Sequence, residues 1–358
     1  MKRGTVFVFC LALFCLAALS GCKPQPNADL PPDVLYERGM GVIEDYNDAD
    51  LAQEFFELAL AKEPDHPGAH LGMALIAEAE FEFEVALAHY EIAFQSEEEF
   101  GWERRHAAQL YATLGEKEKG EQILTQAYEL TGNEIYLDTE LDEKLLDLGS
   151  TLVTDLSPLA SGEWDYLDEV RLRVPNVEDY TPISDMTHLK RLAIYECSQD
   201  DYTFLSGLTQ LELLRVSESD ITDLSPLSGM TNLTFLDLSY NTDLIHLDGL
   251  ETLCNLSMLD LMFSSVTSVE PLSTCTNLGA LYINNTKVRD LAPLSNLNNL
   301  RILNISYLEI PGNFLSLQHC PIERLYCSGY PENEVMALAV LFPEAAIIQG
   351  DQEWSESE

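Results

Sequence analysis

Basic side chains are scarce in this chain: 19 lysines and arginines stand against 61 aspartates and glutamates in 358 residues, a formal net charge of −42. A body this acidic repels phosphate polyanions. Because affinity for nucleic acid rests on lysine and arginine neutralising phosphates, nucleic acid is excluded as a partner class. No apolar run reaches the roughly 20 residues that a membrane-spanning helix needs; the run from Val6 to Leu19 stops at 14. The eight cysteines include no C-x-x-C spacing, which removes the usual zinc and dithiol motifs. G-x-S-x-G, H-E-x-x-H, G-x-G-x-x-G, a phosphate loop and an EF-hand loop are also missing. The chain therefore offers no nucleophile, general base or metal ligand, and the expectation is a protein with neither enzymatic activity nor cofactor.

What the chain has in abundance is periodic leucine. An L-x-x-L-x-L phrase begins at Leu167, Leu189, Leu211, Leu233, Leu256, Leu278, Leu300 and Ile322, at intervals of 22, 22, 22, 23, 22, 22 and 22 residues. Ten residues after a start a second phrase recurs, as in VEDYTPI, ITDLSPL, VTSVEPL and VRDLAPL, and VTDLSPL at Val153 implies a degenerate first turn near Leu146 and Leu148. The first phrase suits a short strand buried on one face, and the second carries the chain back across the opposite side. One turn cannot bury its own leucines, so turns stack and their strands align in parallel into a solenoid. These phrases resemble the 22-residue leucine-rich repeats of the bacterial internalin type, over about nine turns. At the ninth slot, where that family usually carries asparagine, this chain has Asn241 but also Cys197, Ser219, Ser264 and Thr286.

A second period precedes the ladder. Ala52, Phe56 and Ala59 align with Ala86, Tyr90 and Ala93 and then with Gly120, Leu124 and Ala127, in steps of 34. Small residues let two helices approach, and the aromatic between them fills the gap. The pattern resembles the tetratricopeptide repeat and implies three helical hairpins over residues 33–134. Residues 135–150 are a linker and cap, with a short capping helix expected over Leu137–Leu148 opened by Asp138 or Thr139. The predicted architecture is thus two solenoids: an all-α array of tetratricopeptide-like hairpins, then an α/β leucine-rich-repeat solenoid over 151–350 with a parallel concave sheet. It closes with a helix over EVMALAVLF, an edge strand at Ala345–Ile348 and an acidic tail at 351–358.

The first residues form a different object. Lys2 and Arg3 precede the short apolar run, which ends in Leu19-Ser20-Gly21-Cys22. This is the layout of a signal peptide over 1–21, and the ending is similar to a bacterial lipobox. The resemblance implies cleavage before Cys22, acylation of its thiol, and anchoring of the mature chain to a membrane of the bacterial cell envelope through a proline-rich tether at 22–32; an uncleaved anchor is the alternative. Loss of Lys2 and Arg3 would take the net charge from −42 to −44. Of the remaining cysteines, Cys197, Cys275 and Cys327 fall on core slots, and Cys254 and Cys320 sit one residue past such slots; all five are read as free thiols.

Two small clusters invite a metal reading and are weighed against plain structure. His66 and His70 stand four residues apart across Pro67-Gly68 and read as a turn and a helix start; Asp45, Asn47, Asp48 and Asp50 read as an interhelical loop. The ladder offers a surface instead. The second, third, fifth, seventh and eighth positions of each turn alternate with the buried leucines and face the concave side or its rim. Early turns place Arg171, Arg173, Lys190, Arg191 and Arg215 there, and later turns place Phe235, Tyr240, Met258, Met262, Phe263, Tyr282, Tyr307 and Tyr326. Ser239, at a seventh position, is expected to be a surface residue. The reading is a binding scaffold for a protein or peptide. Alternatives are a scaffold for envelope assembly working through its helical repeats, an enzyme with an unfamiliar site, and aromatics that pack only on one another.

The lipobox reading is tested at its acyl acceptor. Cys22→Ala is expected to abolish incorporation of radiolabelled fatty acid and to leave the precursor uncleaved or released; label still entering the mutant removes the reading.

Overall fold

The computed structural model describes residues 23–96, 100–310 and 314–350. The expected signal peptide, Cys22, the Glu97–Glu99 run and the acidic tail lie outside the described residues. The chain divides into two compact units, Met1–Glu143 with Ser150–Thr154, and Lys144–Gly149 with Asp155–Glu358.

The first unit holds six helices among the described residues: α1 Pro32–Tyr46, α2 Ala49–Lys62, α3 Pro67–Ala79, α4 Phe83–Ala93, α5 Gly101–Thr113 and α6 Lys117–Thr131. Their ends follow from local chemistry. Asn47 stops α1 in the left-handed region, Asp48 opens α2 by accepting from the Leu51 N–H, and His66 opens α3 by accepting from the Ala69 N–H at Nδ1. The connection between the two helices is thus only Asn47 and Asp48, both caps, while Asp45 lies in the last turn of α1 and Asp50 in the first turn of α2. Phe56 is fully buried in α2, and its ring lies so close to Gly39 and Gly72 that a Cβ on either would sit 2.4 Å from a ring carbon. Glycine inside a helix costs about 1 kcal/mol relative to alanine, and here the ring requires it. Gly120, the residue that departs from an alanine slot, meets the Ala108 carbonyl and the Leu141 side chain in the same way.

The stretch Leu137–Leu148 corrects an expectation, because it forms no capping helix. A 3₁₀ turn at Glu134–Tyr136 is followed by irregular chain with a turn at Glu143–Lys144, and Leu145–Leu148 is the first strand of the ladder. Two forces explain this. Gln109 takes up the Asp142 backbone, its Nε2 donating to the carbonyl and its Oε1 accepting from the N–H, and the alternation of Leu146 and Leu148 is a strand period.

The second unit carries ten parallel strands in sequence order: β1 Leu145–Leu148, β2 Glu169–Arg173, β3 Arg191–Tyr195, β4 Leu213–Ser217, β5 Phe235–Asp237, β6 Met258–Asp260, β7 Ala280–Tyr282, β8 Ile302–Asn304, β9 Arg324–Tyr326 and β10 Ala346–Ile348. The register is the sequence period made visible: Val170, Leu192, Leu214, Leu236, Leu259, Leu281, Leu303 and Leu325 pair strand to strand and are all fully buried. On the return side, D-L-x-P-L builds 3₁₀ turns. The aspartate accepts from the N–H two residues on, as Asp155 does from Ser157, Asp179 from Thr181, Asp223 from Ser225 and Asp290 from Ala292. A helix at Glu332–Leu341, α7, and β10 close the ladder.

The ninth slot works without an asparagine in every turn. Asn241 donates to the Val216 and Leu238 carbonyls and accepts from the Ser219 N–H, while the Ser219, Ser264 and Thr286 hydroxyls each donate to a backbone carbonyl. The five cysteines are free, four buried and Cys254 exposed. Cys320 thus lies inside the core rather than just past it. Ser239 is also buried: small side chains at the seventh position are shaded by larger neighbours on adjacent strands.

The core register has a direct stability test. Leu236→Ala and Leu259→Ala, which empty fully buried slots, are each expected to cost about 2–5 kcal/mol, whereas Thr242→Ala, at an exposed site, should stay within about 0.5 kcal/mol. Urea unfolding midpoints of the three variants check this.

Candidate functional site

The concave strands present their side chains in columns, because parallel strands about 4.8 Å apart place like positions side by side. A groove of about 750 Å³ runs along these columns, lined among others by Arg173, Arg215, Phe235, Tyr240, Phe263, Tyr307 and Tyr326.

The eighth position is the rim. Glu196, Glu218, Tyr240, Phe263, Asn285, Tyr307 and Gly329 occupy it in seven successive turns, all with φ between +53° and +85°. A left-handed residue bends the chain out of the strand and throws its side chain clear of the turn. Tyr240, Phe263 and Tyr307 accordingly stand 44, 41 and 50% exposed. Tyr240 and Phe263 stack with centroids 4.8 Å apart and planes 11° from parallel. Phe235, Met258 and Tyr326 in the strands, and Met262 just after β6, are half-buried. Tyr282 is only 7% exposed. It belongs to the packed floor, and burial pushes its phenol up to about 12.

The basic residues of the early turns are each matched to an internal carboxylate. Glu169, itself buried, takes Arg171 at 2.6 Å and Arg191 from the next strand. Asp168 takes Lys190 at 3.2 Å, Glu196 takes Arg173 at 3.8 Å, and Asp237 takes Arg215 at 2.8 Å. Tyr195 lies beneath two of them, with the Arg173 and Arg215 guanidinium carbons 4.9 and 5.7 Å from its ring centre. The cluster is therefore a lattice of donors held by shared carboxylates.

Asp237 and Asp260 face each other across β5 and β6, and both are buried. Each accepts from the N–H two residues on, at Ser239 and Met262. Burial first, and then the Asp237 charge, push the Asp260 carboxyl up to about 7, against the opposing pull of the Met262 N–H and Arg215. Nearby, the Asn284 side-chain oxygen is buried and has no hydrogen-bond partner. Glu169, Tyr195, Asp237, Asp260 and Asn284 were not singled out by the sequence reading. The available signal was the recurrence of aspartate at the fifth position of consecutive turns, where side chains must meet.

In the helical unit the histidines have structural partners. His70 Nε2 donates to the Pro64 carbonyl, its Nδ1 lies 2.7 Å from His89 Nδ1, and His66 Nε2 lies 3.1 Å from Asp33. Among the described residues no group of three or more potential ligands could hold a metal ion, and no helix is long and apolar enough to cross a membrane.

The fold defined by these observations is a leucine-rich-repeat solenoid following a helical-hairpin array. Among solved structures, the chain is similar to an internalin of Listeria monocytogenes at 24% identity, covering 54% of this chain and 63% of that one with a TM-score of 0.47. It is similar to an internalin C2 of the same species at 21%, covering 62% and 92% with a TM-score of 0.47, and to a leucine-rich-repeat protein of Leptospira interrogans at 19%, covering 57% and 59% with the same score. The chain spans less than two thirds of the first and third of these proteins. Neither a family model nor a curated protein matches it.

The Asp237–Asp260 pair has a pH signature. A carboxyl whose pKa is raised in the folded state keeps its proton there after the unfolded chain has lost it, so stability falls as pH rises from about 4 to about 7. Asp260→Asn removes that loss while keeping the acceptor for the Met262 N–H. The variant is expected to gain thermal stability over wild type at pH 8 and far less at pH 4; equal gains in melting temperature at both values contradict the account.

Proposed function

We propose that this chain is a non-enzymatic binding scaffold, exported and lipid-anchored through Cys22 to a membrane of the bacterial cell envelope, that holds a protein or peptide partner on the concave face of its ladder. The observation that carries the reading is the rim of Tyr240, Phe263 and Tyr307. Three large rings are held in the left-handed region, where a non-glycine residue costs on the order of 1 kcal/mol or more, and are left 41–50% exposed. Aromatic groups presented rigidly beside a groove are the side chains that most often anchor interfaces. The anchoring residues are Tyr240, Phe263 and Tyr307, with Phe235 and Tyr326 beneath them and Tyr282 supporting the floor. Arg171, Arg173, Lys190, Arg191 and Arg215 border the other end and orient the partner through donors already fixed by their carboxylates. The helical repeats are the weaker candidate, since Gln109, at an inward position of α5, is engaged by the Asp142 backbone. Export and lipidation rest on the sequence of residues 1–22, and the helical hairpins keep their resemblance to tetratricopeptide repeats through the 34-residue spacing.

A soluble form beginning after Cys22 can be used to capture partners from envelope and host-surface fractions. With a partner in hand, the triple variant Tyr240→Ala, Phe263→Ala, Tyr307→Ala is expected to keep its melting temperature. It should lose affinity about thirtyfold or more, mainly through faster dissociation, since truncating one anchor can cost about 2 kcal/mol. Unchanged binding would move the site to the helical repeats.

A further inference from the structure

We infer that the recess floored by Asp237, Asp260 and Asn284 and walled by Tyr240 and Phe263 is a subsite for a cationic side chain, the lysine ammonium or arginine guanidinium of a basic segment lying along the groove. The inference rests on the concave face being the binding surface and names what that surface selects.

Four observations converge. First, all three floor groups are acceptors, they line one groove, and the Asn284 oxygen is buried with no donor. A buried acceptor left open costs free energy comparable to a lost hydrogen bond, and a ligand carrying N–H groups recovers it. Second, the internal cations stop short: Arg215 is matched to Asp237, and among the described residues no basic side chain lies within 4 Å of Asp260. Third, the wall is aromatic. Ring faces attract cations, and the stacked Tyr240–Phe263 pair lines the same groove as the carboxylates. Fourth, the chain's net charge of −42 draws cationic segments toward it. An anion would meet two carboxylates here.

The subsite couples binding to a proton. The groups facing Asp260 are Asp237 on β5, Arg215 on β4 and Tyr282 on β7, with Tyr326 and Arg324 on β9 acting on Tyr282 in turn. Tyr282 stays neutral throughout the physiological range, and Arg215 stays charged. Asp260 is the group that changes, with its carboxyl near 7. A bound ammonium or guanidinium favours the carboxylate, so binding near neutral pH expels a fraction of a proton, about half on average at pH 7, and affinity grows as pH rises.

The test uses a terminally blocked Lys-Ala-Lys-Ala-Lys peptide titrated calorimetrically into the chain at 150 mM salt, at pH 6 and pH 8, and at pH 7 in two buffers of different ionisation enthalpy. Wild type is expected to bind about tenfold more tightly at pH 8 and to release up to about half a proton at pH 7, as a group titrating near 7 requires. Asp260→Asn should lose both the added affinity at pH 8 and the proton release, while Glu129→Gln, in the helical unit, should behave as wild type. A wild-type affinity independent of pH with no proton released overturns the inference without reference to any variant. So does equal weakening by Asp260→Asn and Glu129→Gln, which would mark diffuse charge attraction, or tight binding of neutral maltohexaose with none of the peptide. If these fail while the aromatic triple variant still loses a captured partner, only the cationic subsite falls. If that variant keeps its partner as well, the concave face falls with it.

Discussion

Every feature of the ladder depends on one constraint: a turn of 22 residues cannot bury its leucines except against the next turn. Stacking satisfies it, and strand pairing then fixes the distance between turns at about 4.8 Å. The fully buried file from Val170 to Leu325 is one result. The concave columns are the other, since whatever the repeat places at its fifth, seventh and eighth positions is forced into rows at the same spacing. Core and surface are two readings of a single register, so a carboxylate at the fifth position of consecutive turns has no choice but to meet its twin.

The solenoid was legible because its signal is redundant. Eight copies of one phrase locate the strands, and the D-L-x-P-L phrase locates the return turns whose aspartates cap them. The 34-residue step likewise locates the hairpins, and Phe56 between Gly39 and Gly72 shows why that slot takes a ring. Leu137–Leu148 departs from the expected helix because its helix-like composition of leucine and acid lies where tertiary contacts decide: Gln109 holds Asp142, and β2 recruits Leu145–Leu148 as a strand. Cys320 departs from its expected slot for a related reason: ahead of Ile322 the buried position shifts by one residue, from His319 to Cys320, which no periodic rule anticipates.

The concave face was legible in membership and less so in depth. Alternation says which residues point inward, and it is silent on how tall their neighbours are. Tyr282 is therefore floor and Tyr307 rim although both are inward tyrosines, and Ser239 is shaded where an outward serine was expected. Sequence lists charges one turn at a time, so it places the early arginines on the face without their carboxylates. Glu169 accepting Arg171 from its own strand and Arg191 from the next is a relation across turns. The same blindness hid Asp237 opposite Asp260, whose significance lies in their being neighbours rather than in either aspartate.

The left-handed eighth position has a consequence for how such a surface can change. Its backbone conformation is the same in seven successive turns whatever residue sits there, so the ladder tolerates glutamate, tyrosine, phenylalanine, asparagine and glycine at one geometric address. None of these side chains enters the leucine file. The row Glu-Glu-Tyr-Phe-Asn-Tyr-Gly can thus be read as a short word written on a fixed ruling, in which any letter is replaceable without disturbing the page, and whose vocabulary is limited only by the modest strain each non-glycine letter imposes.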